Sequence, residues 1–360
     1  MSDPLAALGW DDDWAATFAS LELSEARPAR VTSQHRNRWM VHTEAGPQAA
    51  RLVGSELADV RPVTGDWVAC VPGPQDADPL SIFGVLPRRS AVVRGSAGES
   101  QSRQVLAANV DVLWIVQALD TPPNLRSLER YLAVAWESGA SPEFVLTKAD
   151  LAEDLPGAID SVGAIAFGTP VRVVSIHDLM ALDALRESLI PGRTVALLGP
   201  SGAGKSTLIN RVSESDLAET AEVRQGDRKG RHTTTGRELF RIHNGALLLD
   251  TPGMRELRVL DLDEGLGHAF PEIDELSAAC RFRDCSHRAE PGCAVLAAVE
   301  QGRLGEDRLA SFRKLQAEAA YERRRVDPHA RAEHVAEHKT ALRTLRYHPK
   351  YSKGDENDTS

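Results

Sequence analysis

Gly199-Pro200-Ser201-Gly202-Ala203-Gly204-Lys205-Ser206-Thr207 decides the fold. The apolar run Thr194-Val-Ala-Leu-Leu198 precedes it and suits a strand, and the helix-like Leu208-Ile-Asn-Arg211 follows it. A glycine-rich loop that joins a strand to a helix and ends in Gly-Lys-Ser is a P-loop. Its glycines let successive backbone amides point at one centre, and the start of the helix adds potential that favours an anion. Lys205 is expected to reach the β- and γ-phosphates of a bound nucleotide, and the Ser206 hydroxyl to bind Mg²⁺.

The surrounding chain has the rhythm of an α/β unit. Val110–Val116, Glu143–Leu146, Val171–Val174 and Ala246–Leu249 read as further strands, and Ser127–Ser138 has helical spacing. Strands alternating with helices predict a mostly parallel sheet. Asp250-Thr251-Pro252-Gly253 follows the last of these strands. There Asp250 can hold Mg²⁺ through water, and the Gly253 amide can sense the γ-phosphate. Between the two motifs lies the glycine- and base-rich loop Gly226–Thr235. A threonine in it can add a hydroxyl to the Mg²⁺ shell, as switch loops do. Thr233, Thr234 and Thr235 leave the register open, with Thr234 favoured.

Thr147-Lys148-Ala149-Asp150 follows the strand 143–146. A carboxylate at Asp150 can accept two parallel hydrogen bonds from guanine N1 and N2, a donor pair that adenine lacks. The tetrapeptide is similar to the Asn-Lys-x-Asp signature of GTPases, with Thr147 in place of Asn. Threonine keeps a hydroxyl but loses the amide, which leaves the ordering of the P-loop open. Ser175, after strand 171–174, sits where the next base-contacting loop would come, although Ile176 departs from its usual Ala. These base motifs precede the P-loop, the reverse of the common order. A compact domain with adjacent termini tolerates such a circular permutation. The chain then leaves the domain soon after the switch loops, so a C-terminal unit attached there is expected to feel nucleotide state.

The flanks differ in kind. Short strand-like runs between Arg30 and Arg94, separated by turn residues, suggest a small antiparallel barrel, with a small sandwich as the alternative. Cys280, Cys285, His287 and Cys293 offer three thiolates and one imidazole, the set of one closed structural Zn²⁺ site. Cys70 reads as a small core residue. Nine Lys and Arg against four acids over 321–353 form a mostly helical basic tail. Together with a barrel and a zinc module, this tail favours RNA as a partner. The net charge of −10 hides this pattern, because residues 1–26 carry six acids and no base, which suggests a poorly ordered or helical acidic arm. No apolar run is long enough to span a membrane and the N-terminus has no basic start, so a cytoplasmic protein is expected.

With these motifs in this order, the chain resembles the RsgA (YjeQ) family of circularly permuted GTPases. The resemblance covers about 30–350 and rests also on Val63-Thr-Gly-Asp-Trp-Val68, Ala108-Asn-Val-Asp111 and Glu290-Pro-Gly-Cys293. It implies an OB-fold, a GTPase domain and a zinc domain. It also implies a role in late maturation of the small ribosomal subunit, with turnover stimulated by that subunit and release on hydrolysis. Met254 stands where many GTPases place a water-orienting Gln, and the resemblance assigns that task to His232. Slow intrinsic turnover follows. The expected units are an acidic arm 1–26, an OB-fold RNA-binding domain 27–105, a permuted GTPase domain 106–270, a helical zinc-binding domain 271–353 and a disordered tail 354–360. The expected partners are GTP and GDP and the small subunit with its 16S rRNA. No membrane is expected, and the protein is expected to be a monomer. The other readings are a GTP-dependent RNA-binding switch with incidental hydrolysis, and a P-loop ATPase of nucleic-acid metabolism.

Overall fold

The computed structural model describes residues 4–23, 25–35, 37–53, 61–73, 75, 78–95, 103–214, 237–250 and 262–326. Five strands come first: β1 (Arg27–His35), β2 (Arg38–Thr43), β3 (Gly46–Leu52), β4 (Trp67–Val71) and β5 (Leu80–Val85). They run in the order β1-β2-β3-β5-β4, and β4 pairs back onto β1, so the sheet closes into a barrel and the sandwich alternative falls away. Alternation along β2 sends Trp39 and Val41 inward and leaves Arg38 and Met40 exposed, as a two-residue period requires. Ala29, Val31, Ala50, Val68, Cys70 and Ile82 complete the interior. Burial there pushes the Cys70 thiol up to about 12, so Cys70 is an inert core residue.

A hairpin of β6 (Ala91–Gly95) and β7 (Arg103–Ala108) leads into the α/β unit. That unit contains β8 (Val112–Ala118), β9 (Ser141–Thr147), β10 (Val171–Val173), β11 (Thr194–Leu198), β12 (Arg237–Arg241) and β13 (Leu247–Asp250). The sheet order is β10-β9-β8-β11-β13-β12, parallel except for β12. Val116, Val145, Val195 and Leu248 pack on one face, and Leu113, Ile115, Phe144 and Leu249 on the other, so the strands read as apolar runs. β12 also pairs with β1 of the barrel, Ser33 opposite Glu238 and Gln34 opposite Arg237. Barrel and α/β sheet therefore form one continuous sheet, a join that the sequence pattern does not announce.

The buried guanidinium of Arg30 reinforces this join. It donates to Thr194 Oγ1 at 2.8 Å, to Asn109 O at 3.1 Å and to Leu8 O. The acidic arm is helical and docked. Helix α1 (Asp12–Ala19) is capped by Asp11, whose carboxylate accepts from the Trp14 amide at 2.9 Å and pairs with Arg89 at 2.6 Å. Leu5, Leu8 and Trp14 are buried, and Trp10 meets Trp67 edge-on at 4.7 Å between ring centroids.

Helices α2 (Leu125–Glu137), α3 (Leu155–Ala166), α4 (Leu179–Glu187) and α5 (Lys205–Ser213) cover the sheet. The C-terminal part is helical as expected, with α6 (Asp263–Ala269), α7 (Pro271–Ser277), α8 (Ala294–Glu300) and α9 (Glu306–Val326). It is tied to α2 through Glu129, 3% exposed, which takes Arg308 at 2.5 Å and the Ser311 hydroxyl. Arg308 also reaches Glu272 at 2.6 Å, so the buried charge is matched. No described helix is long and apolar enough to cross a membrane.

Candidate nucleotide site and metal centre

The loops that follow β8, β9, β10 and β11 lie at the carboxyl edge of the parallel sheet, where ligands of such folds bind. Gly199 leaves β11 at φ +151°, and a Cβ there would lie 2.2 Å from Val116 O, so only glycine fits. Gly204, at φ +85°, opens α5. Lys205 Nζ lies 2.6 Å from both Gly199 O and Pro200 O and bridges its own loop. The Ser206 hydroxyl lies in the first turn of α5 and has no hydrogen-bond partner among the described residues. Of the remaining loop residues, Ser201 and Gly202 are exposed and Ala203 is buried, and Thr207, in the first turn of α5, is exposed.

Thr147 settles the question left open by its replacing Asn. Its buried hydroxyl donates to Ala203 O at 2.7 Å, so the base motif still holds the P-loop, through a hydroxyl alone. Asp150 and Ser175 come together: the Ser175 hydroxyl donates to Asp150 Oδ1 at 2.5 Å and accepts from the His177 amide at 3.1 Å. The serine hydroxyl holds the Asp150 carboxyl below its ordinary value of 3.8 and so keeps it an acceptor. The Ala149 amide bonds Val174 O at 3.3 Å, which joins the two base loops. Leu151 and Ile176, 58% and 40% exposed, offer apolar surface beside them. Lys148, at φ +55°, reaches Asp120 Oδ2 with its ammonium at 2.5 Å. Asp120 escaped the sequence reading because a lone acid after a strand looks like a turn residue.

β13 pairs with β11, Leu249 opposite Ala196, which puts Asp250 at a strand end beside the P-loop. Thr233, Thr234, Thr235, His232 and Gly253 lie outside the described residues, as do the basic tail beyond 326 and the segment 354–360.

The four metal-ligand candidates come together as their spacing predicts. One ligand atom from each of Cys280, Cys285, His287 and Cys293 lies within 4.8 Å of the others. Cys280 Sγ is 3.9 Å from Cys293 Sγ and 3.7 Å from His287 Nδ1, and Cys293 Sγ is 3.4 Å from the same nitrogen. A tetrahedral zinc with sulfur at about 2.3 Å places its ligands roughly 3.8 Å apart, so the set fits the ion. The Ser277 hydroxyl gives its proton to Ile273 O at 2.6 Å and therefore accepts from His287 Nε2, 3.0 Å away. That fixes the tautomer with a bare Nδ1 turned toward the thiols. Burial pulls the His287 pKa down, which also favours the neutral, ligating ring. Glu290 organises the loop by accepting from the Ser286, Arg288 and Ala289 amides at 2.9, 2.8 and 3.0 Å. Ser277 carried no signal in the sequence, and Glu290 entered only as part of the Glu290-Pro-Gly-Cys293 motif, with no role of its own.

Residues 85–260 match the family described as RsgA GTPase. The "Small ribosomal subunit biogenesis GTPase RsgA" of Opitutus terrae is 45% identical over 337 residues, covering 90% of this chain and 92% of that protein. The protein of the same description from Streptomyces coelicolor is 42% identical over 93% of this chain and 92% of its own length. Among solved structures, YjeQ from Thermotoga maritima is 28% identical with a TM-score of 0.62, over 82% of this chain and 98% of that one. YloQ, described as a circularly permuted GTPase, is 25% identical with a TM-score of 0.59, over 82% and 96%. Sequence order, sheet order and relatives agree, and the chain belongs to the RsgA family of GTPases.

Proposed function

We propose that this protein hydrolyses GTP to GDP and phosphate as a factor in small ribosomal subunit maturation, binding the subunit and its 16S rRNA. The observation that carries the reading is the Thr147–Ala203 hydrogen bond of 2.7 Å, which joins a guanine-type motif to a P-loop at one edge of the sheet. Asp150, oriented by Ser175, selects the base. Residues 199–207 bind the phosphates, with the loop amides and Lys205 stabilising charge that builds on the transferring phosphoryl group. Ser206, Thr234 and Asp250 would hold Mg²⁺, which neutralises charge on the β- and γ-oxygens when bound. His232 orients the attacking water, the task that Met254, which follows Gly253, cannot perform. Cys280, Cys285, His287 and Cys293 would hold one structural zinc. The barrel and the basic C-terminal region supply the RNA-binding surfaces. We take 1–26, 27–105, 106–270, 271–353 and 354–360 as the working units of a cytoplasmic monomer.

The test is hydrolysis by wild type and His232→Ala in the presence of small subunits. Loss of stimulated turnover with unchanged GTP affinity supports the enzyme. Met254 favours one other reading, a GTP-dependent RNA-binding switch whose hydrolysis is incidental. Unchanged turnover in His232→Ala would support it.

A further inference from the structure

We propose that Asp120 is a positioning residue for guanine-nucleotide binding. Its carboxylate pins the Lys148 ammonium and so fixes the lysine stem beside the base pocket. This rests on the reading of Thr147–Asp150 as the base motif. The Leu119 amide donates to Thr147 O at 2.9 Å, which sets the ends of β8 and β9 side by side. The next residue on each strand end is then Asp120 and Lys148, and their side chains meet at 2.5 Å.

Two consequences follow for ligand binding. A lysine side chain has several rotatable bonds, and holding its far end removes freedom that a nucleotide would otherwise have to remove on arrival. Lys148 is also two residues from Asp150, whose carboxylate must stay available for the base. With its ammonium taken by Asp120, it forms no ion pair with Asp150, whose side-chain donor is Ser175. The pair is 33% and 38% exposed, and such pairs add little to fold stability. Its effect belongs in affinity.

The experiment titrates GDP, with ADP as control, into the full-length protein by calorimetry. The variants are Asp120→Asn, Asp120→Glu, Lys148→Met and the double variant Asp120→Asn/Lys148→Met. Asp120→Asn is expected to weaken GDP about three- to fivefold, the range of a partly exposed ion pair, with an unchanged melting temperature. Asp120→Glu restores most of the loss. In the Lys148→Met background, Asp120→Asn has no further effect, a result that a merely structural role would not produce. Full GDP affinity in Asp120→Asn, or an equal loss in the Lys148→Met background, would overturn the proposal. If wild type took ADP as well as GDP, the guanine reading would fail, while the coupling of Asp120 to Lys148 would still be read from the same titrations.

Discussion

The nucleotide pocket and the metal loop reach order by opposite routes. The proposed nucleotide site gathers Thr147–Asp150, Ser175 and 199–207, with Asp120 beside Lys148, and these lie on separate strand ends that meet only because the parallel sheet sets those ends at one edge. The candidate metal loop takes all four of its candidate ligands from 280–293 and is organised by local bonds, with Glu290 gathering nearby amides. One site is a product of tertiary structure and the other carries its own scaffold. Damage to either should therefore stay local, and the following measurements probe that separation.

The largest effect is expected from Lys205→Ala. Removing the charge proposed to stabilise the phosphates should lower GTP turnover by about 10²-fold or more while metal content stays unchanged. Loss of zinc together with activity would break the separation. Next comes Ser277→Ala, which frees His287 Nε2 from its acceptor. Loss of such an outer-shell partner typically costs about 10–100-fold in metal affinity, readable by competition with a chelator, and GDP binding should not change. Thr147→Val removes the hydroxyl that holds Ala203 O. A net hydrogen bond of about 1 kcal/mol corresponds to roughly a fivefold loss of GDP affinity, whereas Thr147→Asn should bind GDP like wild type. The smallest effect lies in pH. The Ser175 hydroxyl holds Asp150 below its usual 3.8, so the ionised acceptor persists as pH falls through that value. Ser175→Ala should raise the Asp150 pKa and move the acid loss of GDP affinity to higher pH. An unshifted profile would show that Ser175 does not act through Asp150.

The same contrast explains what the sequence could reveal. The P-loop, Thr147–Asp150 and the four candidate metal ligands are legible because each is a local pattern of residue types at fixed spacing. Asp120 is not, because nothing in its neighbourhood says that Lys148 stands across from it. Nor is the β1–β12 pairing, since register between strands so far apart depends on the folded sheet. Ser277, at the end of α7, and Glu290, in the loop, support the candidate metal ligands and their loop through hydrogen bonds that the local sequence does not advertise. The arm was legible only in part. Its charge left a loose or a helical segment open, and Leu5, Leu8, Trp10 and Trp14 supply the apolar side that docks the helical form on Trp67 and its surroundings.

The most direct test of the account is GTP hydrolysis by the purified protein, alone and with small ribosomal subunits, with large subunits and ATP as controls. Slow turnover is expected alone, with a strong increase for small subunits and GTP only. Equal turnover of ATP, or no increase with small subunits, would contradict it.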